Sequence, residues 1–319
     1  MNWFNTLSRE AFSIPARLPE ERAHMLGRWM GRALFFVSPH YRRIALSNLQ
    51  LAYGETLTLE ERRKIALSSF ENMGLTLMEA LHLPGLAEEE LARRIEIEGI
   101  ENLHKAVSKN KGVLILTAHF GNWEIMSVAM GMMGYTGNAV MRPLDFKPLD
   151  DLLTDIRTNT GIRLIPKDRA MRKILKALHR NEMVGILMDQ SVILREGVFV
   201  DFFGHRACSD KGLATIALRT GAAVVPMFGL RLRAGRHKIV IKPELELIRT
   251  GDKTRDIEDN TALFTRTIED MVRAHPDQWL WMHRRWKQRP YDPWPQPPQA
   301  PPRNRWLKNA WTLIAFQKS

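Results

Sequence analysis

The segment Gly112–Glu124, with the sequence GVLILTAHFGNWE, constrains the fold of this chain more than any other. It opens with a continuous aliphatic run, which is typical of a short strand buried on both faces of a sheet. The strand is predicted to end at His119, and Gly121 breaks it before a second apolar segment begins at Trp123. A histidine in a glycine turn after a buried strand lies where open α/β sheets usually place their ligands.

From about residue 95, strand and helix patterns alternate along the chain. This alternation predicts the α/β class, with a mostly parallel (mixed) central sheet flanked by helices. His119, Arg142 and Asp189 each lie at the carboxyl end of a predicted strand. Because these ends share one edge in a parallel sheet, we expect the three side chains to face one crevice. The predicted strands are Ile95–Ile97, Val113–Leu116, Asn138–Met141, Arg163–Ile165, Val184–Met188, Val198–Phe202, Ala222–Val225, Ile239–Ile241 and Glu244–Ile248.

The spacing of His119 and Glu124 suits a shared site only if the turn between them folds back. On one continuous helix, residues five apart point about 140° away from each other. If the turn brings Glu124 onto the imidazole, the carboxylate holds one ring nitrogen while the other takes a proton from a hydroxyl. The spacing alone is a weak signal and favours a histidine that caps a helix or is satisfied in the core.

Bulk composition bounds the class of protein. A chain of 319 residues that is 45% apolar can bury one large core with extensions. No apolar run reaches the roughly 18 residues that a spanning helix needs, and we expect neither a membrane span nor a signal peptide. The single cysteine, Cys208, excludes an intramolecular disulfide framework and suits a reducing cytoplasm.

The net charge of +12 is concentrated at the two ends of the chain. Residues 1–50 hold seven arginines and three glutamates, and residues 280–319 hold eight basic residues and one aspartate. Of the nine tryptophans, only Trp123 lies between residues 30 and 278. Basic residues mixed with tryptophan suit the headgroup layer of an anionic membrane. Nucleic acid is the competing partner, but no nucleic-acid-binding module accompanies the charge, and we expect none.

Four regions are predicted: a helical, membrane-interface region (1–90), an α/β domain (91–289), a proline-rich linker (290–303) and an amphipathic tail (304–319). Thr58 and Glu61 predict a capping box at the start of a helix that ends before Pro84-Gly85. An earlier helix has an apolar face studded with arginine, which indicates either a helix lying in the membrane interface or an ordinary packed helix. That face comprises Met25, Leu26, Trp29, Met30, Ala33, Leu34, Phe36 and Val37.

The hexapeptide HFGNWE resembles the HxxxxD/E signature of glycerolipid acyltransferases. Its form is similar to that of the bacterial lipid A biosynthesis (late) acyltransferases, the Kdo-lipid lauroyl/myristoyl acyltransferase type. The resemblance covers most of the chain in the family's order. It includes RIALSNLQLAY (43–53), Arg142-Pro143, Met188-Asp189-Gln190, Phe202-Phe203-Gly204, GLATIALRTGAAVVP (212–226) and QWLWMHRRWKQR (278–289).

This resemblance implies an O-acyltransferase with a glycerol-3-phosphate acyltransferase-like fold. His119 would act as the general base and Glu124 would orient its ring. The donor would be the thioester of acyl-carrier protein or coenzyme A, and the acceptor a hydroxyl of a lipid A precursor. The enzyme would work at the cytoplasmic face of the bacterial inner membrane, peripherally. No cofactor is implied, and no metal is expected, because HFGNWE lacks a second ligand at i+4.

Further residues are candidates for substrate binding or for stabilising the oxyanion. Arg142, or backbone N–H groups near the turn, would stabilise the tetrahedral oxyanion. The resemblance places acceptor-phosphate contacts after the strand Val198–Phe202, where a helix is predicted to start at Ser209 or Asp210. Its N-terminus and nearby basic side chains could bind a phosphate, although surface solvation explains those side chains equally well. The candidates are Arg142, Asp189, Gln190, Gly204, Arg206 and Lys211.

Two other functions compete with transfer to a lipid A precursor. One is the same chemistry on another acceptor, either a phosphatidylinositol mannoside or a lysophospholipid. The other is a catalytically silent protein that binds lipid at the membrane surface. The intact His119/Glu124 pair disfavours the silent protein.

Overall fold

The computed structural model describes residues 17–83, 86–168, 170–233 and 235–288. The predicted linker (290–303), the predicted tail (304–319), residues 1–16 and Pro84-Gly85 lie outside the described residues.

Nine strands are present in the described part of the chain, and seven of them form one sheet. They are β1 (Ile95–Glu98), β2 (Val113–Thr117), β3 (Gly137–Met141), β4 (Arg163–Pro166), β5 (Met183–Leu187), β6 (Gly197–Phe202), β7 (His205–Asp210), β8 (Ala223–Arg231) and β9 (His237–Ile241). The sheet has the order β1-β9-β8-β2-β5-β3-β4, and every neighbouring pair is parallel except β8 and β9. The predicted mostly parallel, mixed sheet is therefore confirmed.

Ten α-helices occur in the same residues. They are α1 (Glu20–Val37), α2 (Pro39–Tyr53), α3 (Leu59–His82), α4 (Glu88–Arg94), α5 (Ile100–Val107), α6 (Trp123–Met132), α7 (Lys147–Asn159), α8 (Ala170–His179), α9 (Gly212–Thr220) and α10 (Lys253–Ala274). Helices α1 to α3 form the predicted helical N-terminal region. None of the described helices is both long and apolar enough to cross a membrane.

The N-terminal helices are fixed by local sequence signals. Thr58 and Glu61 form the predicted capping box at the start of α3, in which each side chain accepts a hydrogen bond from the other's backbone N–H. Helix α1 packs on α3, and a Cβ on Gly27 would lie only 2.9 Å from the carbonyl oxygen of Gly74. Glycine at both positions therefore allows the two helix backbones to touch.

Strand β2 lies at the centre of the sheet and is buried on both faces. Leu114 and Leu116 pack into one apolar cluster, which includes α8, α9 and α10. Val113 and Ile115 pack into a second cluster, which includes α5, α6 and α7. Since no residue of this strand reaches water, its carboxyl end is held firmly where His119 follows.

The tryptophans near the C-terminal end of the described chain are core residues. Trp279, Trp281 and Trp286 are each at most 1% exposed, whereas Trp29 on α1 is 66% exposed. The expectation that tryptophan marks a membrane-facing surface is therefore wrong for these three residues, because they fill the space between the N-terminal helices and the sheet.

Three other expectations are corrected. Residues 205–210 form β7 rather than a loop leading to a helix cap, because Phe203 and Gly204 both have positive φ (54° and 73°) and turn the chain back onto β6. Lys211, not Ser209 or Asp210, is the N-cap of α9. Glu244–Ile248 is not a strand: only single hydrogen bonds, such as Leu245 N–H to the Val224 carbonyl (2.9 Å), join it to the sheet.

Candidate active site

His119 and Asp189 meet at the carboxyl edge of the sheet. Thr117 and Leu187 are register partners in the parallel pair β2–β5, so each functional residue follows its strand by two positions. The backbone N–H of His119 donates to Oδ2 of Asp189 (3.0 Å), and the ring Nδ1 lies 2.9 Å from Oδ1. One carboxylate thus holds both the backbone and the ring of the histidine.

Asp189 is buried and ionised. Burial raises its pKa, but the attraction of the His119 imidazole and hydrogen bonds from His119 and Trp279 outweigh that effect and lower the pKa to about 2. The Trp279 indole N–H donates to Oδ2 over 2.9 Å. Because an ionised carboxylate only accepts hydrogen bonds, Nδ1 carries the ring proton and Nε2 carries the lone pair of neutral His119.

Two further side chains border the imidazole. The Trp123 ring meets it edge-on, with the ring centroids 5.3 Å apart. The side-chain amide nitrogen of Gln190 lies 3.5 Å from Nδ1, but both nitrogens are donors when Nδ1 carries the ring proton, so this approach is not a hydrogen bond.

Glu124 lies close to this pair but binds a different partner. Arg157, on α7, donates to both of its carboxylate oxygens (2.8 and 2.5 Å), and the Trp123 indole N–H donates to Oε1 (2.9 Å). Burial opposes ionisation of Glu124, but Arg157, these hydrogen bonds and the charge of His119 together lower its pKa. The expectation that Glu124 is the carboxylate hydrogen-bonded to the ring is corrected: Asp189 accepts that bond, and Glu124 influences His119 through its charge.

The turn that carries His119 is held from beneath by Asn122. Its Oδ1 accepts hydrogen bonds from the N–H groups of Glu124 and Ile125 (3.0 and 3.1 Å) and so caps α6. Its Nδ2 donates to Oε2 of Glu79 over 2.7 Å. Glu79 on α3 thereby fixes which way the capping amide points.

Glu79 belongs to a buried group that we call the inner network: Asn72, Thr76, Glu79, Asn122 and Arg231. The Arg231 guanidinium donates to Glu79, to Asn72 Oδ1 (2.8 Å) and to Thr76 Oγ1 (2.9 Å). Asn72 and Thr76 donate in turn to the carbonyl oxygen of Gly121 (2.9 and 3.0 Å). Burial raises the pKa of Glu79, but Arg231 and nearby histidines lower it to about 2.

Gly121 must be glycine at this position. Its φ is +53°, and a Cβ would collide with the backbone carbonyl of Gly229 on β8. The same carbonyl accepts a hydrogen bond from the Asn122 N–H (2.9 Å). The turn is therefore pressed against β8, and this sets the height of His119 above the sheet edge.

The remaining predicted site residues do not contact the His119–Asp189 pair. Arg142 is exposed directly after β3, and Lys211 is the N-cap of α9. Gly204 and Arg206 border a cleft of about 430 Å³ between the β6–β7 hairpin and α10. Carboxylates dominate its charged lining, which disfavours a phosphate there: Asp201, Glu258, Asp259, Glu269 and Asp270 face only two arginines, Arg206 and Arg266.

Sequence reasoning missed two residues of the site. Arg157 is separated from Glu124 by 33 positions and Trp279 from Asp189 by 90, and neither pairing has a local signal. The clue to Trp279 was the segment QWLWMHRRWKQR (278–289), which was part of the resemblance but received no site role; its described residues begin against the His119 turn. Leu280 N–H donates to the His119 carbonyl (3.2 Å), and Phe120 forms a β-bridge with Trp279.

An imidazole whose Nδ1 is held by a buried, ionised carboxylate at a sheet edge suits an enzyme that removes a proton from a substrate. Comparison with known proteins defines the enzyme further. The family model described as bacterial lipid A biosynthesis acyltransferase matches residues 3–288, and the chain belongs to this family.

Individual relatives have two kinds of acceptor in their names. The lipid A biosynthesis lauroyltransferase of Escherichia coli K12 is 27% identical over 291 residues, covering 90% of this chain and 92% of the relative. The lipid A biosynthesis palmitoleoyltransferase of the same organism is 27% identical over 249 residues (77% and 79%). The phosphatidylinositol mannoside acyltransferase of Mycobacterium tuberculosis H37Rv is 27% identical over 228 residues (69% of each chain). The chain is thus an O-acyltransferase that acts on a lipid acceptor.

Proposed function

We propose that this enzyme transfers a fatty acyl chain from the thioester of acyl-carrier protein, or of coenzyme A, to a hydroxyl of a lipid A precursor. The observation that carries the proposal is the hydrogen bond between His119 Nδ1 and the buried Asp189 carboxylate. Because this hydrogen bond places the ring proton on Nδ1, Nε2 is the ring nitrogen that can accept the proton of the acceptor hydroxyl.

The reaction needs no covalent acyl-enzyme. His119 Nε2 takes the hydroxyl proton while the oxygen attacks the thioester carbonyl, and a tetrahedral intermediate forms. Its collapse breaks the carbon–sulfur bond, and the imidazolium returns the proton to the departing thiolate. Asp189 keeps the ring in the required tautomer and stabilises the imidazolium. Glu124 adds a second negative charge nearby and is held in place by Arg157.

Side chains are the proposed stabilisers of the oxyanion, because six backbone donors in and beside the turn are occupied. The N–H groups of residues 119–122 donate to Asp189 and to the carbonyls of Ala118, Gln278 and Gly229, and those of Glu124 and Ile125 donate to Asn122. Arg142 and the Gln190 amide are the candidates that remain from the predicted site.

A lipid A precursor is proposed over a phosphatidylinositol mannoside on grounds of coverage. At equal identity, the match to the lauroyltransferase extends over 90% of this chain and the match to the mannoside acyltransferase over 69%. Transfer to a phosphatidylinositol mannoside is the second candidate, since both acceptors offer a hydroxyl to the same base.

Helix α1 supports peripheral attachment to the cytoplasmic face of the inner membrane. Gly27, Gly31 and Leu34 pack it onto the protein, so it is a packed helix. On its outer side Met25, Trp29 and Phe36 are 64–66% exposed, and Arg28 and Arg32 lie among them. Apolar and aromatic side chains mixed with arginine suit the headgroup layer of an anionic bilayer. We propose that this outer side contacts lipid.

The test is transfer of a labelled acyl chain from acyl-carrier protein, and separately from coenzyme A, to the host's total lipid extract, with the product identified by mass. We expect a glucosamine-based lipid to gain one acyl chain with the wild type and none with His119→Ala. An acylated mannoside would establish the second candidate. Transfer that persists in His119→Ala would contradict the mechanism.

A further inference from the structure

Helix α8 presents a uniformly basic face to solvent. Its ten residues, AMRKILKALH, include no acidic residue, and Arg172, Lys173 and Lys176 are exposed. At about 100° per residue these three side chains fall within a single arc of about 100°. The opposite side of the helix buries Ile174, Ala177 and Leu178 in the core. We call Arg172, Lys173 and Lys176 the α8 basic face.

The three side chains of the α8 basic face form no ion pair with any of the described residues. Their charge is therefore not neutralised by the residues around them. The nearby carboxylates already have partners. Glu182 pairs with Arg163 and Arg180, and Glu196 and Asp210 pair with Lys167. A compact positive surface remains, and such a surface attracts an anionic partner.

This face flanks the active site. Helix α8 follows β4, so its N-terminus lies at the same edge of the sheet as His119. Strands β5 and β3 lie between β2 and β4 in the sheet. The three strand spacings from β2 to β4 amount to roughly 14 Å. Arg142, exposed at the end of β3, lies on the path between the two. A partner bound on α8 can therefore present an extended arm to His119.

We propose that the α8 basic face is the docking surface for the acidic carrier protein that brings the acyl thioester. The inference rests on the proposed function and adds where the donor binds. A bilayer is the less suitable occupant. The one large apolar side chain exposed on α8 is Met171, at 40%, and the helix has no aromatic residue, whereas α1 exposes Met25, Trp29 and Phe36. The two helices thus suit different partners: α1 suits lipid and α8 a soluble acidic protein.

The test compares two donors with one triple variant. In Arg172→Glu/Lys173→Glu/Lys176→Glu, kcat/KM for acyl-carrier protein should fall about tenfold or more, mainly through KM, because electrostatic steering is lost. The uncharged donor acyl-N-acetylcysteamine should react as fast as with the wild type, since it does not need the surface. Direct titration with acyl-carrier protein should show the same loss of affinity in the triple variant, and added salt should weaken binding to the wild type more than binding to the variant.

The matched control carries the same charge change on scattered exposed sites, Lys64→Glu/Lys105→Glu/Lys253→Glu. It should retain the wild-type response to both donors. An equal loss in this control, or an equal loss with both donors, would overturn the inference. So would unchanged donor kinetics together with weaker binding to phosphatidylglycerol vesicles. A wild type that transfers from coenzyme A but does not bind acyl-carrier protein would also overturn it while leaving the proposed acyl transfer standing.

Discussion

The two sides of the His119 turn are each held by one buried carboxylate, and the two carboxylates differ in their partners. On the side of the chemistry, Asp189 accepts hydrogen bonds from His119 and Trp279, neither of which carries a permanent charge. On the inner side, Glu79 is matched to the permanently charged Arg231 and to the Asn122 amide. Both carboxylates have a pKa of about 2.

This difference separates two tasks. A carboxylate whose partner can gain a proton stabilises that proton, so Asp189 affects the basicity and tautomer of His119. Glu79 contacts the helix-cap residue Asn122 rather than the His119 ring, so it affects only where the turn lies. One side of the turn thus determines the proton chemistry and the other determines position.

The largest effect is expected from Asp189→Asn. The asparagine fits the same space but stabilises the imidazolium poorly and allows the wrong ring tautomer, so kcat should fall by about 10²–10⁴. KM for both substrates should change little. Steady-state kinetics beside His104→Ala, an exposed histidine on α5, would check this. A fall confined to KM would mean that Asp189 binds substrate.

Glu79→Gln should have a smaller effect on rate and a clear one on stability. The variant leaves Arg231 buried without its counter-charge, which costs about 3–5 kcal/mol of unfolding free energy. A turn displaced by a fraction of an ångström should lower kcat by up to about 10²-fold. Chemical denaturation and kinetics would measure both.

The paired variant Glu79→Gln/Arg231→Met separates these contributions. Removing the orphaned charge should recover most of the lost stability, while kcat stays low because the Asn72 and Thr76 contacts of Arg231 are gone. Full recovery of kcat would show that the inner network has no positioning role.

Acid should destabilise the structure on both sides of the His119 turn, because a histidine on each side is buried in the neutral form. Burial lowers the pKa of His237, beside Glu79 and Arg231, to about 4, and that of His283, near Asp189, to about 3. An unfolded imidazole binds its proton near pH 6.5, so between that pH and the folded values the unfolded chain holds more protons. The unfolding free energy should therefore be highest above pH 6.5 and fall as the pH drops towards 4.

His237→Phe should flatten this pH dependence, because it removes one of the two groups responsible. Denaturation midpoints between pH 7.5 and 4.5 would be compared with those of His104→Phe. An unchanged slope in His237→Phe would place the proton uptake elsewhere.

The smallest effect is expected from the helix cap. Asn122→Ala removes the acceptor for two N–H groups of α6 and should cost about 1 kcal/mol of unfolding free energy. Asn122→Asp keeps an acceptor but places a second carboxylate against Glu79, so it should be the less stable of the two variants in thermal melts at pH 7. The reverse order would mean that Glu79 does not constrain the cap.

The strand pattern predicted the site better than the helix pattern did. His119 and Asp189 were placed together because apolar runs and strand ends are local properties, and the parallel sheet then brings the ends to one edge. Glu124 received the wrong hydrogen-bonding role because a spacing of five residues does not reveal competition from Arg157. The β6–β7 hairpin was missed since Phe203, a poor candidate for positive φ, occupies the first position of its turn. The inner network joins α3, the turn and β8, which are far apart in the sequence, so no local pattern predicts these contacts.

The position of the ring proton of His119 distinguishes the roles of Asp189 and Glu124. Selective ¹⁵N labelling of histidine, with His119→Gln for assignment, reports which ring nitrogen is protonated in the neutral form. We predict the proton on Nδ1 in the wild type and in Glu124→Gln, and a mixture or reversal of tautomers in Asp189→Asn. Loss of the Nδ1 proton in Glu124→Gln alone, with the proton retained in Asp189→Asn, would contradict these roles.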